Sequence, residues 1–397
     1  MHSIPTLIIG GGTAGASLAC ALAERGIGNE VTIADVDLFG THGSNASSAG
    51  GVQCLFANPL DVRLALASVE FYREQAAKFG FREHGSLWLC DGDSLDRARE
   101  WLESGRSLGV SGEILTPSDV RSRFPVIGDV GDLAGTALSV PGGFLLPHRL
   151  RIHYLNRAQA GGVSLLDHWQ VVAVEGAKPP FKVSLKRIGP RAVRKALTDP
   201  ADGHVDLVIQ AGRIVNAAGP WAARVATLYG RTLPLVPGSR QMFLLRQPAL
   251  DLQNLPVVMD GPQDIAFRAA EVDRKPCILV SGEKPDPENR INFATRPFDE
   301  SLKARAVRRL PALNGAEVIR GWVSHDDTSA DGRPIVGAVP ALSGILNFNA
   351  LSVRQISAAH ALAQSLAQWM TSGRWAEGLD LDELAEWRFA RAESVRP

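Results

Sequence analysis

Cysteine is scarce in this chain, and that scarcity closes off two classes at once. Only Cys20, Cys54, Cys90 and Cys277 occur in 397 residues, with no C-x-x-C pair and no histidines at ligand spacing. This spacing argues against a zinc cluster and a disulfide framework and favours buried, reduced thiols as the expectation. Net charge is missing too: 42 basic and 42 acidic residues cancel, so there is no basic footprint for nucleic acid. No apolar run reaches bilayer length without a glycine or a charge interrupting it. The chain enters an apolar strand almost at once, leaving no room for a signal peptide, so a reducing cytoplasm is the expected compartment. Internal repeats are absent as well. A chain of 397 residues exceeds one simple core, and two domains are expected.

Glycine, by contrast, is abundant at 39 residues, and its placement near the start is informative. Thr6-Leu-Ile-Ile reads as a buried strand, Gly10 to Gly15 as a tight turn, and Ala16 to Arg25 as a helix stopped by Gly26. Gly10, Gly12 and Gly15 fill the three places of G-x-G-x-x-G. The first permits the turn, the second lets a pyrophosphate approach the backbone, and the third lets helix and strand pack closely. Phosphate charge would rest on the helix N-terminus. A second strand, Val31-Thr-Ile-Ala, ends at Asp35, about 20 residues after the motif, where a carboxylate accepts bonds from a ribose. Strand, glycines, helix, strand and acid in this order indicate a dinucleotide.

Further along, residues 61–79 show helical spacing, with Asp61 as the expected N-cap and Gly80 as the stop. Helices are also expected over 93–108, from Thr116, over 147–160 and over 358–370, with strands at 85–90, 163–166 and 170–175. Residues 178–203 mix Lys and Arg with Pro and Gly and read as a solvated hairpin. Two strands follow at 206–210 and 213–216. Between 231 and 320, short alternating runs at 241–246, 265–268 and 277–280 predict an antiparallel sheet.

This order of motifs resembles the FAD-dependent D-amino-acid oxidase superfamily, which includes glycine and sarcosine oxidases. The resemblance covers nearly the whole chain. It rests on the nucleotide motif with Asp35, the loop Gly43-Ser-Asn-Ala-Ser-Ser-Ala-Gly-Gly-Val52, and Gly85-Ser-Leu-Trp-Leu. Val140-Pro-Gly-Gly-Phe-Leu-Leu-Pro, Val215-Asn-Ala-Ala-Gly-Pro-Trp-Ala, Trp322 and Asp331-Gly-Arg-Pro-Ile-Val-Gly337 continue it. The resemblance implies an α/β (α+β) chain with a Rossmann-type FAD-binding domain at 1–80, 140–230 and 321–397. A mainly antiparallel substrate domain would take 81–139 and 231–320. Ser44, Ser47, Ser48, Ala49, Gly50 and Gly51 would follow the pyrophosphate and ribityl chain toward the flavin. Val172 would meet the adenine, and Ala218, Gly219 and Trp221 would form a second nucleotide-contact turn. There is only one strong dinucleotide fingerprint, so electrons would leave to dioxygen or another acceptor rather than to a bound nicotinamide.

Two departures from the family pattern bear on chemistry. Counting back from Asp331, Asp326 stands where amino-acid-oxidising relatives carry a carboxylate-clamping arginine. Asp326 either holds a cationic group of the substrate or caps a turn with Asp327 and Thr328. The loop before the last helix, Asn349-Ala-Leu-Ser-Val-Arg-Gln-Ile356, contains no glycine where relatives have several. Ser352, Val353 and Arg354 would lie against the flavin. Arg354 either stabilises reduced flavin, clamps a carboxylate or stays at the surface.

His325 and His42 are candidates for taking a proton from an amine, or are structural. Arg268 is a candidate pocket residue on a substrate-domain strand. The leading expectation is oxidation of a C–N bond in a small amine or amino-acid-like substrate, with FAD bound non-covalently because no cysteine sits near the C-terminal turn. The alternatives are 2-hydroxy-acid oxidation, flavin monooxygenation, or a flavoprotein subunit that has lost catalysis. No metal is expected.

Overall fold

A computed structural model describes residues 2–199, 203–248, 250–283, 291, 299–351 and 355–389. Among these, two large sheets organise the chain. The first is parallel at its centre: His2–Ile9 lies between Leu207–Asn216 and Val31–Asp35, with Ser164–Asp167 beyond the latter. Ile345–Asn349 adds to the far side of Leu207–Asn216, and Ile335–Ala338 closes that edge. The antiparallel strands Trp169–Glu175 and Phe181–Arg187 attach to Leu207–Asn216 as a branch. Because His2–Ile9 has parallel neighbours on both sides, a crevice opens at the carboxyl ends of the central strands, where nucleotides bind in such sheets.

Helix Thr13–Glu24 follows the first strand directly and buries every residue from Thr13 to Leu22. It packs between Pro147–Ala160 and Gln355–Ser372. Each motif glycine has its own steric reason. Gly10 sits at φ +102°, where a Cβ would strike the Ala217 carbonyl. A Cβ on Gly15 would collide with the Gly10 carbonyl, so the helix could not approach its strand. A Cβ on Gly12 would meet nothing within 4 Å, which leaves open space in front of the helix.

The second sheet runs in the order Glu317–Ser329, Leu235–Arg246, Lys275–Glu283, Ile265–Val272, Val257–Asp260, Ser86–Cys90, Gly135–Val140, Ser111–Leu115. Its pairs are antiparallel except Val257–Asp260 with Ser86–Cys90. Beneath it, the fully buried Arg309 bridges Asp260 (Nε to Oδ2, 2.6 Å) and Asp132 (3.1 Å), which supplies the partners a buried guanidinium requires.

Local differences from the sequence expectations have identifiable causes. The helix expected from Asp61 starts at Pro59, because Asn58 accepts the Leu60 N–H and Pro suits the first turn. Asp61 is instead buried against Arg333 at 3.4 Å. The two strands expected at 206–210 and 213–216 are one strand, Leu207–Asn216, held in continuous parallel register with His2–Ile9. Residues 178–199 of the stretch expected as a solvated hairpin do not form one. Phe181–Arg187 buries Phe181, Val183 and Leu185, and the short helix Val193–Thr198 tucks Val193 and Leu197 inward. The sheet branch thus overrides the charged composition. No helix of the described residues is long and apolar enough to cross a membrane.

Candidate functional site

A cavity of about 450 Å³ opens at the carboxyl ends of the central strands, bordered by Ile9, Gly12, Asp35, Val172, Ala218 and Asn349 among others. The motif glycines, Ser44, Val172, Ala218, Gly219 and Trp221 meet there, apart from Gly15, which lies behind Gly10. The floor is the first turn of helix Thr13–Glu24, whose leading N–H groups have no partner within the helix. Around that turn, among the described residues, the buried Ser44 Oγ and Asn45 Oδ1 have no hydrogen-bond partner, and neither has Asn349 Oδ1 at the opposite wall. Open space at Gly12 and orphaned polar atoms are what a phosphate-bearing dinucleotide would fill.

Asp35 is placed for a ribose, but its carboxylate is already engaged. Oδ2 accepts from the Gly11 N–H at 2.6 Å and Oδ1 from the Asp37 N–H at 2.7 Å. Burial pushes its carboxyl up, and these two N–H donors together with the Arg151 charge oppose that shift. Each oxygen retains a lone pair for a sugar hydroxyl.

The end of the cavity bordered by Val172, Leu197 and Arg224 is closed by a segment that composition concealed. Arg224 donates to the carbonyls of Ala196 (3.0 Å), Leu197 (3.2 Å) and Asp199 (3.1 Å). The Trp221 indole donates to Leu197 O at 2.7 Å and Gln170 Nε2 to Ala196 O at 3.0 Å. These donors take up the last carbonyls of helix Val193–Thr198 and hold Leu197 on the cavity wall. Trp221, expected as a cofactor contact, borders the cavity but spends its N–H on this clasp.

The remaining loop residues connect the two sheets. The Trp322 indole donates to Ser47 O at 2.8 Å, and the Ser324 and Ser47 hydroxyls lie 3.2 Å apart. Ser48 Oγ accepts from Gly50 N at 3.2 Å, Gly50 takes φ +72°, and Gly51 pairs with Phe144. Arg268 is buried, donates to Ala49 O at 2.5 Å and to Ala269 O at 2.8 Å, and lies 4.5 Å from the Phe144 ring centre. Burial alone lowers its pKa to about 10.

Alternation along Glu317–Ser329 puts Trp322, Ser324 and Asp326 on one face and His325 and Asp327 on the other. Asp326 meets Arg240 of the neighbouring strand at 3.5 Å, so its cation comes from within the chain. His325 is buried on the face of Asp327, which borders the cavity. His42 is held by Asp37 at 2.8 Å. Ser352, Val353 and Arg354 lie outside the described residues. Sequence reasoning passed over Arg240, Arg224, Asn349, Asp327 and Arg151. For Arg151 a signal existed: it lies three and four residues before Tyr154 and Leu155, on the buried side of its helix.

A parallel sheet that carries the glycine turn and this cavity, together with a second, mostly antiparallel sheet, defines a dinucleotide-binding fold. The family model described as FAD dependent oxidoreductase (DAO) matches residues 6–369, and the chain belongs to that family, with FAD as its cofactor. Mitochondrial sarcosine dehydrogenase of Mus musculus is 23% identical over 384 residues, 93% of this chain and 40% of that protein. The chain therefore spans 40% of the length of that relative. L-proline dehydrogenase from P. horikoshii superposes with a TM-score of 0.81 at 20% identity, over 98% of this chain and 99% of that one. Glycine oxidase from Geobacillus kaustophilus gives 0.78 at 19% identity, over 97% and 99%. At these identities the two structures establish the shared fold.

Proposed function

We propose that the chain oxidises the C–N bond of a small amine carrying a carboxylate, a secondary or N-substituted amino acid. The observation that carries this reading is the ion pair of Asp326 with Arg240, on the strand face that Trp322 and Ser324 anchor to Ser47. A charged, paired surface beside the flavin loop suits a zwitterion. It suits a wholly apolar amine less well, because such a substrate offers no charge for this pair to meet. The names of the relatives, which act on sarcosine, proline and glycine, point the same way.

Bound FAD supplies a two-electron acceptor for the hydrogen of the carbon next to nitrogen. The residues have the remaining tasks. Gly12, the first turn of Thr13–Glu24 and Asp35 hold the nucleotide. Arg240, kept in place by Asp326, receives the substrate carboxylate and so orients the reacting carbon. The substrate nitrogen must be unprotonated to react, and it gives that proton to solvent, because His325 lies on the strand face opposite Arg240 and Asp326. Loss of hydride and a proton leaves an imine, which water splits into a carbonyl compound and an amine or ammonia.

The test is the visible spectrum of the purified holoprotein under anaerobic conditions, with sarcosine, proline, glycine and iminodiacetate added in turn. Bleaching of the flavin by one of them, with the matching carbonyl product, is the expected result. Bleaching by 2-hydroxy acids alone, or only by NAD(P)H, would replace the reading with one of the other flavin chemistries. The electron acceptor follows from whether air or an artificial dye restores the colour faster.

A further inference from the structure

Helix Pro147–Ala160 carries a cation into the protein interior. Arg151 is 2% exposed, borders the dinucleotide cavity, and is packed among the buried Leu150, Tyr154 and Leu155 of its own helix. Its guanidinium is sparsely satisfied. Nη2 donates to Gly40 O at 2.6 Å and lies 3.4 Å from His148 Nδ1, while Nε has no partner among the described residues. Nη1 lies beneath Gly43, 3.9 Å from where a Cβ would stand.

The nearby carboxylates do not close this gap. Asp35, Asp37 and Asp167 act on Arg151 through space, but among the described residues none is in ion-pair contact with it. Each is held elsewhere: Asp35 by the N–H groups of Gly11 and Asp37, Asp37 by the His42 N–H and ring, and Asp167 by those of Leu38 and His168. A buried guanidinium with neutral partners and an idle N–H is costly unless an anion completes it. The same end of the cavity holds the orphaned Ser44 Oγ and Asn45 Oδ1 and the open side of Gly12. It also presents Asp35 and Asp37, whose charge would repel a phosphate. Arg224, the other cationic residue bordering the cavity among the described residues, has its donors on three carbonyls.

We infer that Arg151 is the cofactor's phosphate-binding cation: its Nε and Nη1 edge receives the FAD pyrophosphate from below the Gly40–Ser44 turn, offsetting Asp35 and Asp37. The nucleotide motif supplies backbone donors only. In this chain a full charge comes from a helix on the far side of the turn, and a planar fork suits a two-oxygen acceptor better than an ammonium does. The inference concerns how the cofactor is held and stands apart from any substrate.

The test uses the full-length holoprotein and reads flavin retention. Free FAD fluorescence on dilution gives the dissociation constant, and ADP or adenosine added as competitor reports which part of the nucleotide is recognised. Arg151→Gln is expected to weaken FAD binding about tenfold or more, and to erase a similar part of the advantage of ADP over adenosine. Unchanged FAD retention in a folded variant overturns the inference. Equal losses for ADP and adenosine do so as well, since they would mean that Arg151 only braces the Gly40 turn. Should the Gln variant not fold, Arg151→Lys carries the test. It keeps the charge but not the fork, so FAD retention and the preference for ADP over adenosine are expected to fall part-way, and a folded Lys variant with both unchanged overturns the inference.

Discussion

The carboxylate of Asp327 accepts a 2.6 Å hydrogen bond from the backbone N–H of Ala350, a fully buried residue held at φ +56°. This is the stretch where relatives place glycines, and here the strand of the second sheet reaches across to fix the backbone instead. A left-handed alanine is strained by roughly 1–2 kcal/mol, which glycine would not suffer. Ala350→Gly is therefore expected to leave unfolding free energy unchanged or raised, whereas Ala359→Gly within helix Gln355–Ser372 should cost about 1 kcal/mol or more. Asp327→Ala, which strips the N–H of its partner, should cost about 1–3 kcal/mol. Urea unfolding of the three variants decides it. A large loss for Ala350→Gly would show that the side chain matters more than the strain.

The pairing of Arg240 with Asp326 leads to a kinetic prediction under the proposed function. Arg240→Met should raise KM for the bleaching amino acid about tenfold or more while changing kcat far less, because a carboxylate contact is lost in ground and transition states alike. Asp326→Asn should have the weaker effect, since it loosens Arg240 without removing it. Steady-state kinetics of both variants provide the check. Equal KM values in wild type and Arg240→Met would remove Arg240 from the substrate site.

The contrast between what could and could not be read in advance follows the range of the interactions. Gly10, Gly12 and Gly15 were legible because each role is set by neighbours a few residues away or by the strand–turn–helix geometry itself. Helix 147–160 was legible for the same reason, with Pro147 at its start and glycines beyond its end. The clasp on residues 193–198 was not, because the donors Gln170, Trp221 and Arg224 come from elements 20 to 30 positions away and act on backbone carbonyls, which carry no sequence signature. Asp326 stood out in the sequence as a departure from the pattern that the resemblance implies. Its partner Arg240 was not, because strand register across a long excursion cannot be counted from spacing.

That clasp should govern how long the nucleotide stays. Arg224→Ala removes three bonds, to the carbonyls of Ala196, Leu197 and Asp199, leaving Gln170 and Trp221 as the remaining side-chain donors and loosening the grip on Leu197 at the cavity wall. FAD release after dilution is expected to accelerate about tenfold, since two or more charged-donor bonds are lost. The fluorescence of released flavin follows it directly. An unchanged release rate would mean that the segment is ornamental to retention, and that the first turn of Thr13–Glu24 alone sets it.

Stability on the acid side should depend on His360. Its ring stacks on Phe71 at 3.8 Å between centres and 2° between planes, and Nδ1 lies 3.2 Å from the Tyr154 hydroxyl. Burial lowers its pKa to about 4, against a weaker upward pull from Glu24. The unfolded chain, with an ordinary histidine near 6.5, takes up the proton first. Between about pH 6.5 and pH 4 the unfolded state binds more protons, so stability falls as the pH falls, by about 3 kcal/mol at most, and levels off below pH 4. Above pH 6.5 the contribution is complete and constant. His360→Gln loses the ring stack at every pH, but it removes this slope. Urea unfolding at pH 7.5, 5.5 and 4.5 should therefore show wild type and variant converging on acidification. Parallel curves would place the acid sensitivity in the carboxylates instead.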